Sequence, residues 1–198
     1  MNFNEEEPQE KAFQLSIKFK YHRRKGQRVR KALDCKVIKS PRFKSVTGYS
    51  KRHKMTGTKI SLEVDEKGGV DGIVISKGNI HDRTLAEQTN LDSLSNGAKK
   101  AFSLTADKGY DDGDYRKWLR SKKIRHAIPQ GKYEERKRRR GRPFGCNKDY
   151  YEVRYVIERT NGWVEGFRRL KFRYERKFTN FIGMVLLAST LMNVRLCK

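Results

Sequence analysis

The chain has 198 residues, which is enough for one domain that buries its own core. Lys and Arg number 47 against 23 Asp and Glu, so the formal net charge is +24. This excess indicates a polyanionic partner, with nucleic acid as the first candidate and a membrane surface as the weaker one. Aromatic residues and periodic apolar segments exclude a wholly disordered basic tail.

The first 31 residues predict a basic N-terminal arm that precedes a domain at residues 32–198. Residues 1–9 are acidic and polar, which is not the start of a secretory signal, and residues 18–31 contain eight Lys and Arg. Charge alone does not decide whether this arm is only solvated or contacts phosphates. The longest apolar segment, residues 181–194, is too short to span a bilayer and predicts a buried helix.

Residues 32–40 alternate between apolar and polar side chains and predict the first strand, with Asp34 inside it. Asp is disfavoured in strands, so Asp34 either points to solvent or has a function. Two further alternating runs, residues 58–65 and 70–76, are joined by a glycine-containing turn at residues 66–69. Together the three runs predict an antiparallel meander.

Several carboxylates in the first half of the chain have simple structural interpretations. Asp65 and Asp71 flank the hairpin turn, and we attribute them to the turn rather than to catalysis. Asp82 is predicted to be the N-cap of a helix over residues 83–94. His81 beside it could contact DNA or a metal, but no second His or Cys lies nearby in the sequence.

The segment at residues 101–112 predicts a short strand that delivers Asp107 to its carboxyl end, where Gly109 breaks the alternation. Functional groups in sheets that are flanked by helices tend to lie at this edge. Asp111 and Asp112 already provide caps for the next predicted helix, residues 112–122. Asp107 is therefore a candidate for a functional role.

A short strand at residues 125–128 precedes a basic insertion loop at about residues 130–148. This loop has six basic residues between positions 136 and 142, including Arg138, Arg140 and Arg142. Its tetrapeptide RGRP resembles an AT-hook, which lays arginines into a narrow minor groove. One such match is weak, so we favour general phosphate contacts over minor-groove recognition.

Residues 150–174 predict one long helix that carries Glu158. The spacing of Tyr151, Tyr155 and Glu158 predicts that Glu158 shares an inward face with aromatic residues. An unpaired inward carboxylate is costly. A salt bridge with Arg154, four residues earlier, is the structural explanation.

The functional alternative is that Glu158 meets Asp34 and Asp107 and that the three carboxylates hold divalent cations. Like charges in one site do not all stay ionised without a metal. Oxygen-only ligands favour Mg²⁺ or Mn²⁺. Two such ions can activate the attacking oxygen and stabilise the leaving oxygen of a phosphodiester.

Five stretches, in this order, resemble the DDE transposases of bacterial insertion sequences, particularly the insertion-sequence family numbered five. They are ALDCKVIKS, GYSKRHKMTGTKISLEVDEKG, ISKGNIHDRTLAEQ, LTADKGYD and RYVIERTNGWVEGFRRLKFRYE. The resemblance runs from about Ala32 to the C-terminus. The family pattern of Tyr, two residues, Arg, three residues, Glu, six residues and Lys falls on Tyr151, Arg154 and Glu158.

The resemblance implies an α/β, ribonuclease H-like mixed sheet flanked by helices. It also implies a metal-binding triad of Asp34 on the first strand, Asp107 on the fourth and Glu158 on a C-terminal helix. The implied activity is cleavage at the ends of a mobile element and joining of the freed 3′-hydroxyl to target DNA. Tyr151 and Arg154 would contact phosphates or support Glu158. The implied partners are double-stranded DNA and further copies of the chain, in the cytoplasm and nucleoid of a bacterium.

The chain departs from the family pattern in two places. The family's Lys falls on Glu165, so we expect its DNA contact to be missing or taken over by Arg168 or Arg169. Only the short arm precedes Asp34, whereas complete relatives carry an upstream helical domain. Two alternatives therefore stay open: a catalytically inactive DNA-binding remnant, and a general metal-dependent nuclease on the same fold.

Overall fold

The computed structural model describes residues 8–22, 28–40, 45–130 and 148–197. Strands and helices alternate through these ranges, which confirms the predicted α/β class as a mixed sheet flanked by helices. In chain order the elements are α1 (Pro8–His22), β1 (Val29–Lys39), β2 (Gly48–Ser50), β3 (Met55–Asp65), β4 (Val70–Lys77), α2 (Asp82–Ser95), β5 (Ala101–Thr105), a 3₁₀ turn (Lys108–Tyr110), α3 (Gly113–Ser121), β6 (Arg125–Ala127), α4 (Lys148–Tyr151), α5 (Arg154–Gly166), α6 (Arg168–Lys171) and α7 (Phe178–Arg195).

The sheet has the order β2-β3-β1-β5-β6, and β4 pairs with β3. Strands β1, β3 and β4 pair antiparallel, so the predicted meander is confirmed. Strands β5 and β6 continue the sheet in parallel with β1. The β3–β4 turn closes as expected: Gly68 has a φ of +93°, and the Asp65 carboxylate accepts bonds from the N–H groups of Lys67 and Gly69.

The two faces of the sheet carry separate cores. Residues that pair across antiparallel strands share a face, so Asp34 lies on the same face as its partner Leu62. Leu62 belongs to the core formed with Val156, Ile157 and Val164 of α5. The opposite core packs against α2 and α3. Asp34 therefore lies on the face that α5 covers.

Five charged side chains form what we call the buried ion cluster: Lys20, Lys31, Glu63, Asp65 and Asp71. The Lys31 Nζ lies 2.7 Å from a Glu63 oxygen and 3.0 Å from an Asp71 oxygen. The Lys20 Nζ lies 2.7 Å from Asp71 and 3.3 Å from Asp65. Burial alone lowers the pKa of Lys31, but Asp71 and Glu63 raise it above its ordinary value. The cluster joins α1, β1, β3 and β4.

Parts of the predicted arm are ordered against the sheet. Residues 8–22 form α1, whose Phe13 and Ile17 are buried in the core that also contains α7 side chains. Lys20 of α1 enters the buried ion cluster. The division of the chain at residue 31 stays a prediction.

The predicted single helix over residues 150–174 is wrong. It is divided into α4, α5 and α6, and Phe167 between the last two has an extended backbone with φ −78° and ψ 105°. The half-buried ring of Phe167 packs against the core, so the chain turns there to bury it. The predicted apolar helix is α7, but only one side of it is buried, because Leu187, Leu191 and Val194 are about half exposed. No helix within the described ranges is long and apolar enough to cross a membrane.

Candidate active site

Asp34 on β1 and Asp107 just beyond β5 follow equivalent positions of two neighbouring parallel strands. Ala32 of β1 is in register with Thr105, the last residue of β5. Two residues further along each chain are Asp34 and Asp107, and the two carboxylates interact electrostatically. Asp107 begins the 3₁₀ turn, where its Oδ1 accepts a 2.7 Å bond from the Lys108 N–H. Its predicted position just beyond a strand is confirmed.

The environment of Asp34 opposes its ionisation. The pKa of Asp34 is raised to about 6, chiefly by burial and also by the negative charges of Asp82 and Asp107, against the lowering effects of the Cys35 N–H and Arg154. A site that opposes the ionised form of a carboxylate favours a bound proton or a cation. A positive charge near Asp34 would therefore stabilise its ionised carboxylate.

Asn161 of α5 holds the Asp34 carboxylate. Its Nδ2 donates a 3.2 Å hydrogen bond to Asp34 Oδ2. Because a carboxylate only accepts, the Asn161 Oδ1 points away from it. This Oδ1 is buried and has no hydrogen-bond partner among the described residues. Sequence analysis missed Asn161, although its position three residues after Glu158 places it on the next turn of the same helix.

Glu158 does not face inward, so that prediction is wrong. Its side chain is 59% exposed, because the buried side of α5 is formed by Val156, Ile157 and Thr160. The Glu158 Oε1 lies 3.2 Å from Arg154 Nη2, which is the predicted salt bridge. The salt bridge with Arg154, which was the structural explanation for Glu158, is therefore present in this structure.

Arg154 connects Glu158 to the rest of the site. Its guanidinium donates a 2.9 Å hydrogen bond to the Tyr151 hydroxyl. Burial lowers the pKa of Arg154, but Tyr151, Asp107 and Glu158 raise it above its ordinary value. Arg154 thus contributes a positive charge beside all three predicted catalytic carboxylates.

The three carboxylates do not form a closed metal site. In the part of the chain that the structure describes, no three carboxylate, imidazole or thiol side chains lie close enough to hold a metal ion. The available donors still fit a hard cation, because Asp34, Asp107 and Glu158 offer carboxylate oxygens and Asp34 and Asp107 interact electrostatically. The triad of Asp34, Asp107 and Glu158 stays a prediction.

Comparison with known proteins assigns the chain to a family. Residues 25–192 match the family model described as "Transposase DDE domain". The chain belongs to this family. A segment of the DDE domain is 39% identical over 72 residues to the Burkholderia cepacia protein named "Putative transposase for insertion sequence element IS402". That match covers 36% of the chain and 29% of the relative. The resemblance to insertion-sequence transposases is thus confirmed.

Asp82 is a further carboxylate beside the site, and its predicted role as N-cap is wrong. The N-cap of α2 is His81, whose Nδ1 accepts a 3.3 Å bond from the Arg83 N–H. Asp82 instead forms a 2.5 Å ion pair with Lys59. Its charge contributes to the raised pKa of Asp34. Nothing in the spacing along the sequence indicated that α2 and β1 bring these two carboxylates together.

Position 165 of the DDE domain, where the family pattern has Lys, carries a carboxylate that is paired with a lysine. The Glu165 Oε1 lies 2.5 Å from the Nζ of Lys36. Lys36 follows Asp34 by two residues on β1 and therefore shares its face. Arg169 is paired with Glu175 at 2.9 Å, and Arg168 is exposed.

Three of the arginines predicted to bind DNA, Arg138, Arg140 and Arg142, lie outside the described residues. Their predicted role is untested. Tyr151 and Arg154, also predicted to contact DNA, lie at the site and contact each other.

The raised pKa of Asp34 predicts a pH-dependent effect of Asp34→Asn. The pKa rises from 3.8 to about 6 on folding, so the folded chain binds this proton more tightly. Stability from the protonated carboxyl is therefore lost as the pH rises from about 4 to about 6. We expect the free energy of unfolding of Asp34→Asn to exceed that of the wild type by about 1–3 kcal/mol at about pH 7. At about pH 4 the two free energies should be equal.

Urea denaturation at several pH values measures this difference. Asp114→Asn is the control, because Asp114 is exposed on α3, and it should change stability equally at every pH. A difference between wild type and Asp34→Asn that does not vary with pH would contradict the account.

Proposed function

We propose that this DDE domain is the catalytic domain of a DNA transposase, with a ribonuclease H-like fold. It cleaves DNA at the ends of an insertion sequence and transfers the freed strand, using divalent metal ions. The observation that carries this proposal is the pair of interacting carboxylates, Asp34 on β1 and Asp107 just beyond the parallel neighbouring strand β5. Membership of the transposase DDE domain family supports it.

Asp34, Asp107 and Glu158 are the residues that would hold Mg²⁺ or Mn²⁺, with two ions expected. When bound, the ions activate the attacking oxygen and stabilise the leaving oxygen of the phosphodiester. Glu158 would join them only by leaving Arg154, which its exposed side chain permits. Positive charge beside Asp34 and Asp107 would offset their mutual repulsion.

Arg154 then has its guanidinium free for DNA. Its planar N–H groups suit a phosphate oxygen, and Tyr151 keeps the side chain beside Asp107. Asn161 keeps the Asp34 carboxylate oriented through the bond to its Oδ2. We also propose that Arg168, Arg169 and the basic loop contact DNA phosphates outside the site. Several copies of the chain would act on DNA together in the bacterial cytoplasm.

A second candidate is a DNA-binding remnant that no longer catalyses. The observation that favours it is the ion pair between Glu158 and Arg154, which keeps the third carboxylate away from the other two. The two candidates differ in whether the chain cuts DNA when a divalent metal is supplied.

Nicking of supercoiled plasmid in the presence of Mn²⁺ tests the proposal, with Asp107→Asn beside the wild type. We expect metal-dependent nicking by the wild type and a loss of at least about 100-fold in Asp107→Asn, because the variant removes a metal-binding charge but keeps the shape. Asp114→Asn, on exposed α3, is the matched control and should nick normally.

The other outcomes separate the alternatives. A wild type that binds DNA but does not nick it would support the remnant. Nicking without preference for particular DNA ends would support a general nuclease. A chain that does not bind DNA would overturn all three proposals.

We also propose that Lys36 supplies the cation that relatives carry at position 165. Lys36→Glu should weaken DNA binding about 10-fold at moderate salt, because it removes a positive charge and places two carboxylates together. Adding Glu165→Lys to Lys36→Glu restores the ion pair with the two charges exchanged. The DNA affinity should then return to within about twofold of the wild-type value.

Fluorescence anisotropy with a labelled duplex measures the binding of these variants. Lys36→Glu combined with Glu87→Lys is the control, because it has the same net charge but places the new lysine on exposed α2. Equal restoration by both double variants would show that only net charge matters, and the assignment of Lys36 would fail.

A further inference from the structure

A β-bulge in the pairing of β1 with β5 turns Phe102 out of the regular alternation. Val29 pairs with Ala101, but the next residue of β1, Arg30, pairs with Ser103. Phe102 is therefore the extra residue of a bulge, a feature that redirects a side chain. Its ring meets the ring of Tyr150 edge-on, with centroids 6.0 Å apart.

Two arginines from different segments lie over this one ring. The guanidinium carbons of Arg28 and Arg125 are each 4.7 Å from the Phe102 centroid. Arg125 also donates a 3.1 Å hydrogen bond to the Tyr150 hydroxyl. We call Arg28, Arg125, Phe102 and Tyr150 the Phe102 clamp. The clamp brings together the chain before β1, the edge strand β6 and α4.

Neither clamp arginine has a carboxylate partner among the described residues. Arginines 30, 83, 116, 154 and 169 each form an ion pair with a carboxylate. Across the described ranges, no carboxylate lies within ion-pair distance of Arg28 or Arg125, and both are exposed. Cation–π contacts hold each guanidinium in place but leave in-plane N–H groups available to an anion.

The Phe102 clamp is connected to the candidate active site through α4. The Thr105 Oγ1 donates a 2.6 Å hydrogen bond to the Tyr150 carbonyl, which fixes α4 on β5. The residue after Tyr150 is Tyr151, whose hydroxyl accepts a bond from Arg154. Basic and aromatic groups thus run from the clamp to the carboxylates.

Strand geometry gives the separation between the clamp and the site. Phe102 and Asp107 are five residues apart, or about 17 Å at about 3.3 Å per residue. Arg28 and Asp34 are six residues apart, or about 20 Å along β1. At about 3.4 Å per nucleotide along one strand, this separation corresponds to about five or six nucleotides.

We propose that Arg28 and Arg125, held on Phe102, grip the phosphate backbone of a DNA duplex about five or six nucleotides from the phosphodiester that meets Asp34 and Asp107. The choice of DNA as the partner rests on the proposed function. The choice of this surface rests on the bulge at Phe102 and on the positions of the two guanidiniums. A clamp at this distance fixes the direction in which DNA enters the site.

Salt titration of DNA binding tests the clamp without requiring catalysis. The full chain and an Arg28→Gln/Arg125→Gln variant bind a labelled 30-base-pair duplex at increasing salt. We expect the variant to bind about 10–100-fold more weakly at low salt and the slope of log affinity against log salt to shrink by about 2, since each lost phosphate contact removes about 0.9.

The control is Lys117→Gln/Arg120→Gln, which removes two exposed charges from α3. For this control, the slope of log affinity against log salt should change by less than about 0.5. Arg28→Lys/Arg125→Lys keeps both charges and so should keep the slope, but it should lose affinity several-fold because an ammonium lacks the planar fork. This variant also separates the clamp from a folding defect, since thermal melting should match the wild type.

Each result has a distinct meaning. If the wild type does not bind DNA, the proposed function itself fails. If the wild type binds and the Gln variant keeps its affinity and slope, the clamp is overturned and the proposed function stands. If the α3 control loses as much DNA affinity as the clamp variant, the loss is caused by the change in net charge, and the clamp is again overturned.

Discussion

The buried ion cluster is the constraint on which the sheet depends. Glu63 and Asp71 lie in a core where an uncompensated carboxylate costs several kcal/mol, and Lys31 of β1 is within 3.0 Å of both. A shift of β1 by one residue would move Lys31 to the other face and leave those charges unpaired. The same register places Asp34, three residues further along β1, on the opposite face from Lys31. The position of the candidate active site therefore follows from ion pairing on the other side of the sheet.

The candidate site has the opposite character, because negative charges there are crowded rather than paired. Asp34 is near Asp82 and Asp107, and its pKa is raised to about 6 by burial and by these neighbours. Arg154 supplies the compensating charge and also holds Glu158. We propose that a cation bound at Asp34 and Asp107 would supply this compensation, and that Glu158 would then be able to leave Arg154. Arg154 would in that case be available for phosphate, so metal binding and DNA contact would be coupled.

Sequence patterns predicted the strands well, because the alternating apolar side chains of β3, Ile60, Leu62 and Val64, pack into one core. The same kind of alternation placed Asp34 within a strand and Asp107 just beyond one. Sequence patterns placed Glu158 wrongly, because the spacing of Tyr151 and Tyr155 was taken for a buried face, although Tyr155 is 61% exposed. Tyrosine carries a polar hydroxyl and an apolar ring, so it marks a helix face poorly. The bond from Asn161 to Asp34 and the bulge at Phe102 depend on pairing between distant segments, which local periodicity does not contain.

The most direct measurement of the central claim is an anomalous diffraction map of crystals of the chain soaked in Mn²⁺. We expect a peak beside the carboxylates of Asp34 and Asp107, with the Glu158 carboxylate turned away from Arg154 and toward that peak. We also expect the peak to disappear in crystals of Asp107→Asn. A map in which Mn²⁺ is absent from this position while Glu158 stays paired with Arg154 would contradict the claim that these three carboxylates form a metal-dependent catalytic site.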